Sequence, residues 1–211
     1  MKTEHFEVKH RGDAINPAVD WKEQEYAHDL ITSRQNISPK RLVEPGPDRA
    51  QLEQIFQAAA SAPDHGLLCP WRYVIVPEKR RAELGEVFAL ALIDRDPGAT
   101  LEQIESAREK AHRGPLLMLV VARLGSAEPN IPVLERMIAV GASVQNVLLQ
   151  AHGLGYGGSL TSGQAMPSPR LRSFFKLADG EEAVCFINIG TVDKRKSPRL
   201  RPESKSFVSS L

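Results

Sequence analysis

Apolar positions along this chain recur at two spacings, and the spacing separates helices from strands. In residues 48–61, Leu52, Ile55, Phe56 and Ala59 fall at i, i+3, i+4 and i+7, which places them on one face of a helix. Pro63 stops that helix, because its ring disfavours helical dihedrals at the residue before it. Similar patterns predict helices at about 21–33, 78–93, 100–112, 131–152 and 168–177. Trp71–Val76 and Ala183–Ile189 read as strands. Leu116–Ala122 is a continuous apolar run, as expected of a strand buried on both faces. Loops are expected at Ile37–Pro39 and Glu44–Pro47. Residues 1–20 are polar and aperiodic, broken by Gly12, Asp13, Asn16 and Pro17, and are expected to form an irregular arm ahead of one domain spanning 21–211. The elements lack the regular short alternation of a doubly wound sheet. The predicted class is α+β, a central mixed β-sheet surrounded by helices.

The stretch from Met137 to Ala151 carries apolar residues on nearly every side, interrupted by Gly141, Ser143, Gln145 and Asn146. A helix of this kind must be buried all round. In so small a domain that predicts a helix shared with a second subunit; burial within the chain's own core is the alternative.

Composition narrows the function. The chain has 211 residues, 42% hydrophobic and 25% charged, with a formal net charge of +1. A normal core is feasible, and no strong field points to nucleic acid or to an acidic membrane surface. No apolar stretch approaches the ~20 residues a membrane span requires. The first ten residues hold no apolar run, so no secretory signal is expected. Cys69 and Cys185 are the two cysteines, too few for a disulfide framework, and a cytoplasmic location is expected. His65 and Cys69 stand four residues apart, but two ligands do not make a zinc site.

Residues 153–158, Gly-Leu-Gly-Tyr-Gly-Gly, contain the spacing G-x-G-x-x-G. That spacing signals dinucleotide binding where it follows a strand and opens a helix. Here it follows the strongest predicted helix and precedes the strand-like Ser159-Leu160-Thr161. Its glycines make better sense as a helix C-cap and tight turn.

Three segments together resemble the nitroreductase family of FMN-dependent NAD(P)H oxidoreductases. Ile31-Thr32-Ser33-Arg34-Gln35 resembles the family's I-x-R-R-S segment. Ala62-Pro63-Asp64-His65-Gly66-Leu67-Leu68-Cys69-Pro70-Trp71-Arg72-Tyr73 is similar in length and at both ends to A-P-S…N-x-Q-P-W-R-F. Gly153–Gly163 is similar to a G-L-G-x-G-x…S-G turn. The similarity runs from about residue 24 onward, and its order and spacing are most like those of small stand-alone NAD(P)H nitroreductases.

The resemblance implies a homodimer with FMN at the interface, NADH or NADPH as co-substrate, and a small-molecule acceptor such as a nitroaromatic or a quinone, used by a ping-pong mechanism. It implies FMN contacts from Ser33, Arg34 and Gln35, with Arg199 and Arg201 of the basic tail assisting at the phosphate. It places the backbone of Leu160, Thr161 and Ser162 along the flavin edge. Ser61 and His65 become polar candidates because Leu67 and Cys69 replace the family's Asn and Gln. Gln150, Ala151, His152, Gly153, Leu154 and Gly155 are expected along the path of NAD(P)H. No catalytic side chain is expected, since a flavin carries the chemistry itself. The altered flavin-edge residues leave one alternative, an FMN-binding sensor or store without turnover.

Overall fold

The structure is a computed structural model that describes residues 21–125, 131–195, 197 and 200–211. The expected arm at 1–20 and Arg199 lie outside these residues. The chain divides into two compact units, 1–33 and 34–211. In the first, helix α1 spans Trp21–Ser33, and the Thr32 hydroxyl donates to the His28 carbonyl at 2.8 Å.

The second unit is built in the order β1 (Leu42–Val43), α2 (Arg49–Ala60), β2 (Trp71–Ile75), α3 (Arg81–Arg95), α4 (Leu101–Glu109), β3 (Leu116–Arg123), α5 (Val133–Gly153), β4 (Gly157–Thr161), α6 (Pro169–Phe174) and β5 (Glu181–Val192). Strand β5 organises the sheet. It pairs β3, which pairs β2 in turn; it also pairs β4 and, at its end, the short β1. These ladders are antiparallel, and among the described residues the parallel component is the bridge Asn36↔Gly158.

Local signals fix the helix starts. Asp48 caps α2 through its carboxylate on the Gln51 N–H at 2.8 Å, while the Gln51 amide oxygen accepts the Asp48 N–H at 2.9 Å. Thr100 and Gln103 form the same reciprocal pair at α4. Each such cap is worth ~1 kcal/mol.

Seven consecutive residues of β3, Leu116–Ala122, are buried. The pleat sends them alternately to two cores. Met118 and Val120 join Ile55, Val147 and Ile187 under α2 and α5. Leu119 and Val121 join Leu84, Leu171 and Phe186 under α3 and α6. Both faces are therefore covered, which is why this strand has no polar alternation.

Helix α5 answers the question its sequence raised. Val140, Val144, Val147, Leu148 and Ala151 are buried inside this one chain, against α2 and the sheet. Tyr73 reaches across to bond the Ser143 hydroxyl at 2.8 Å, and burial pushes the Tyr73 phenol up to about 12. Much of the apolar surface expected to meet a second subunit is thus consumed at home. What remains outside is a stripe: Leu134 is 78% exposed and Ile138 71% exposed, with Gly141 one turn further on.

Candidate active site

The end of α5 shows what the glycine-rich segment does. The N–H groups of Leu154, Gly155 and Tyr156 donate to the carbonyls of Gln150, His152 and Ala151. Gly155 sits at φ +90°, where a side chain would be strained, so it terminates the helix. The chain then enters β4 directly. A Cβ on Gly157 would lie 2.6 Å from Val192 Cγ2 and 2.9 Å from Leu42 Cδ2, so this glycine lets β4 lie close to its neighbours. The segment is a helix-to-strand connection, as its position in the sequence indicated.

Two cavities border the sheet edge that β4 forms. The smaller, about 200 Å³, is lined by Arg34, Gln35, Arg41, Lys194, Ser197 and Arg201, with no carboxylate among the described residues. The Nε of Arg34 is buried without a hydrogen-bond partner among the described residues. Burial, then the neighbouring positive charge of Arg201, lowers the hold of Arg34 on its proton. A buried guanidinium atom left unpaired among like charges is costly unless an anion completes it. The donor set suits a phosphate group, since guanidinium forks and an ammonium bind phosphate through charge-assisted bonds.

The larger cavity, about 670 Å³, lies between α3, the end of α4 and the segment after β4. That volume falls within the range of small-molecule sites. Leu160, Thr161 and Ser162 line it as expected, followed by Gly163. Asn188, 2% exposed, donates from Nδ2 to the Thr161 hydroxyl oxygen at 3.4 Å and steadies that wall. Consecutive residues line the two cavities, Ser38 the smaller and Pro39 the larger. Asn36 of the smaller cavity also accepts the Leu160 N–H through Oδ1 at 3.3 Å.

The other expected positions fall elsewhere. Ser33 closes α1 in the first unit. Ser61 caps α2, its hydroxyl donating to the Gln57 carbonyl at 3.1 Å. His65 Nδ1 lies 2.8 Å from Glu135 Oε2 at the start of α5. Neither Ser61 nor His65 lines either cavity. The loop carrying His65 holds Leu67 and Cys69 at φ +53° and +48°, uncommon for residues with side chains, and presents Leu67 at 90% exposure. Within Gln150–Gly155, backbone groups are committed to the helix end, and Ala151 is fully buried. His152 borders a space of about 10 Å³ beside Arg34 and Arg195, room for at most a water. Burial first, then Arg195 and Arg34, lower its pKa.

Residues that the sequence did not single out complete the geometry: Asn36, Arg41 and Lys194 at the small cavity, Asn188 and three further cations at the large one. They come from separate elements and form no linear motif, so only folding brings them together.

Comparison with known proteins places this geometry in a class. The sequence profile of the Nitroreductase family matches residues 38–191, and the chain belongs to that family. It is 30% identical over 183 residues to a protein of Haemophilus influenzae named "Putative NAD(P)H nitroreductase", covering 86% of this chain and 97% of the relative. The fold matches that of a nitroreductase-like family protein from Bacillus cereus with a TM-score of 0.71 at 20% identity, covering 87% of this chain and 95% of the other. It also matches an NADPH:FMN oxidoreductase from Vibrio harveyi with a TM-score of 0.67 at 16% identity, covering 87% and 76%. The α+β fold expected from the sequence is that of this family. Among the described residues no helix is long and apolar enough to cross a membrane.

Proposed function

We propose that this chain, an FMN-dependent NAD(P)H oxidoreductase by its family, passes electron pairs from NAD(P)H to small organic acceptors such as nitroaromatics and quinones. The observation that carries the reading is the cationic cavity at Arg34, with no acid among its described lining residues and with the buried Arg34 Nε unpaired among them, next in sequence at Ser38–Pro39 to a cavity of ligand size. Arg34 and Arg201 hold the FMN phosphate, assisted by Arg41 and Lys194, and Arg199 is assigned with them. Gln35 contributes beside Arg34. Leu160, Thr161 and Ser162 line the flavin edge.

When bound, FMN supplies hydride acceptance and donation. The protein's part is to orient the ligands, exclude water and place positive charge where negative charge develops. Nicotinamide and acceptor occupy the larger cavity in turn, which makes the kinetics ping-pong. Of the stretch Gln150–Gly155, His152 stands nearest the phosphate cradle, and the nucleotide's outer part is assigned along that helix end.

The functional unit is a homodimer with FMN at the interface. Supporting this are the exposed stripe Leu134, Ile138 and Gly141 on α5 and the outward-facing Leu67 on a loop tied to α5 by His65 and Glu135. In the dimer, Ser61 and His65 are assigned to the site completed by the other subunit, consistent with their distance from both cavities of their own chain.

The test is purification followed by steady-state oxidation of NADH and NADPH with a nitroarene or a quinone. Bound FMN with acceptor-dependent oxidation is the expected result. Bound FMN without turnover would leave a flavin sensor or store, and protein that neither retains nor takes up FMN would remove the reading.

A further inference from the structure

The lining of the larger cavity includes a buried amide on a strand otherwise committed to the core. Asn188 stands on β5 between Ile187 and Ile189, both fully buried, and is itself 2% exposed. Its register partners, Leu117 on β3 and Ser159 on β4, are buried as well. An amide in such a place is costly unless it is hydrogen-bonded, and an apolar residue would pack there without that cost. Yet the side chain borders the cavity together with Thr161.

The bond this amide makes has a direction. Asn188 Nδ2 donates to the Thr161 hydroxyl oxygen at 3.4 Å. An amide nitrogen has only protons to give, so the hydroxyl accepts here and its own proton is left for another acceptor. Among the described residues that proton meets none, because Thr161 makes no other side-chain hydrogen bond. Thr161 is exposed at the end of β4 and lines the cavity. A hydroxyl that would otherwise serve as donor or acceptor is thus set as a donor available to the cavity's ligand.

We propose that Asn188 is a positioning residue: it commits the Thr161 hydroxyl to donate a hydrogen bond to the flavin edge, where that bond stabilises the negative charge that reduction places on the ring. This deepens the proposed function and rests on its assignment of Leu160, Thr161 and Ser162 to that edge. A donor fixed before the charge appears needs no reorganisation when it does, and it favours the reduced flavin over the oxidised one. Asn188, acting through Thr161, therefore raises the reduction potential of the bound flavin. That role accounts for an amide where packing alone would favour an apolar residue.

The test is the reduction potential of the FMN-loaded protein, measured by equilibrium titration against a reference dye, in wild type, Thr161→Val, Asn188→Leu and the double variant. Thr161→Val, at an exposed position, is expected to shift the balance toward oxidised flavin by at least roughly tenfold, about 30 mV for a two-electron couple. Asn188→Leu is expected to shift it the same way by at least roughly fivefold, and to add nothing once residue 161 is already substituted. Asn188→Ala, which crowds no neighbour, is measured alongside and is expected to shift the potential in the same direction. An unmoved potential in Thr161→Val or in the Asn188 variants would overturn the proposal. So would an Asn188 effect that persists undiminished in the Thr161→Val background, since that would mark a structural disturbance of the cavity. Protein that takes up no FMN would overturn the proposed function and this proposal with it, whereas flavin-loaded protein with unmoved potentials would overturn this proposal alone.

Discussion

Arg201 reaches back across 167 positions to Arg34, its Nη2 lying 3.4 Å from the Arg34 carbonyl oxygen. The contact closes the phosphate-sized cavity with two guanidinium groups that repel each other, and it sets the first prediction. Arg34→Ala should weaken FMN binding by at least roughly tenfold, about 1.4 kcal/mol, as followed by quenching of FMN fluorescence. Arg201→Ala should weaken it less, since Arg201 is exposed and Arg34 is half-buried. Unchanged affinity in Arg34→Ala would remove the phosphate assignment.

His152 supplies a pH-dependent signature. Its pKa is lowered by burial and by Arg195 and Arg34, so the unfolded chain binds its proton more readily than the folded one. The resulting destabilisation should be absent at neutral pH and should grow as pH falls below its ordinary value of about 6.5. An anion beside Arg34 would relieve part of the lowering. Nuclear magnetic resonance titration of His152 should show its pKa rising when FMN or inorganic phosphate is added. No movement would mean that the anion sits elsewhere.

The two faces of α5 predict opposite outcomes for a new charge. Val147 is fully buried in the chain's own core, so Val147→Asp should cost several kcal/mol and yield unfolded or insoluble protein. Ile138 is exposed, so Ile138→Glu should fold normally and yield a monomer with reduced flavin content. Light scattering and circular dichroism separate the two cases. A folded dimer with full flavin content in Ile138→Glu would place the interface elsewhere.

That contrast also marks how far the sequence could be read. The strength and length of α5 were plain from its apolar residues, yet periodicity cannot say whether a buried face meets its own sheet or another chain. The seven-residue run of β3 announced a strand covered on both sides. Short β1 escaped notice because Leu42 and Val43 have no pattern of their own; their pairing with Thr191 and Val192 exists only once β5 extends past Ile189. The capping pairs Asp48–Gln51 and Thr100–Gln103 were legible in principle, as a capping residue followed three positions later by Gln.

At the site, linear motifs located Arg34, Gln35 and Leu160–Ser162 because those residues are contiguous. Arg41, Lys194, Arg95, Lys110 and Arg113 were invisible, since single basic residues on separate elements look like solvated surface until the fold gathers them. Ser61 and His65 were found by the same signature that fixes their loop, and the chain's own cavities do not receive them.

Kinetics should reflect one cavity used twice. Initial-rate plots at several acceptor concentrations should be parallel, the outcome the proposed use of one cavity by NAD(P)H and acceptor in turn requires. Intersecting lines would require both to bind at once.

The central claim, that this chain moves electron pairs through FMN held at Arg34 and the Leu160–Ser162 wall, meets its most direct test in anaerobic absorbance. Purified protein should show the visible bands of a flavin, lose them on addition of about one equivalent of NADH or NADPH, and regain them when a nitroarene or quinone is added. A protein whose visible spectrum shows no flavin after reconstitution with FMN, or whose flavin bands persist with either nucleotide, would contradict the account.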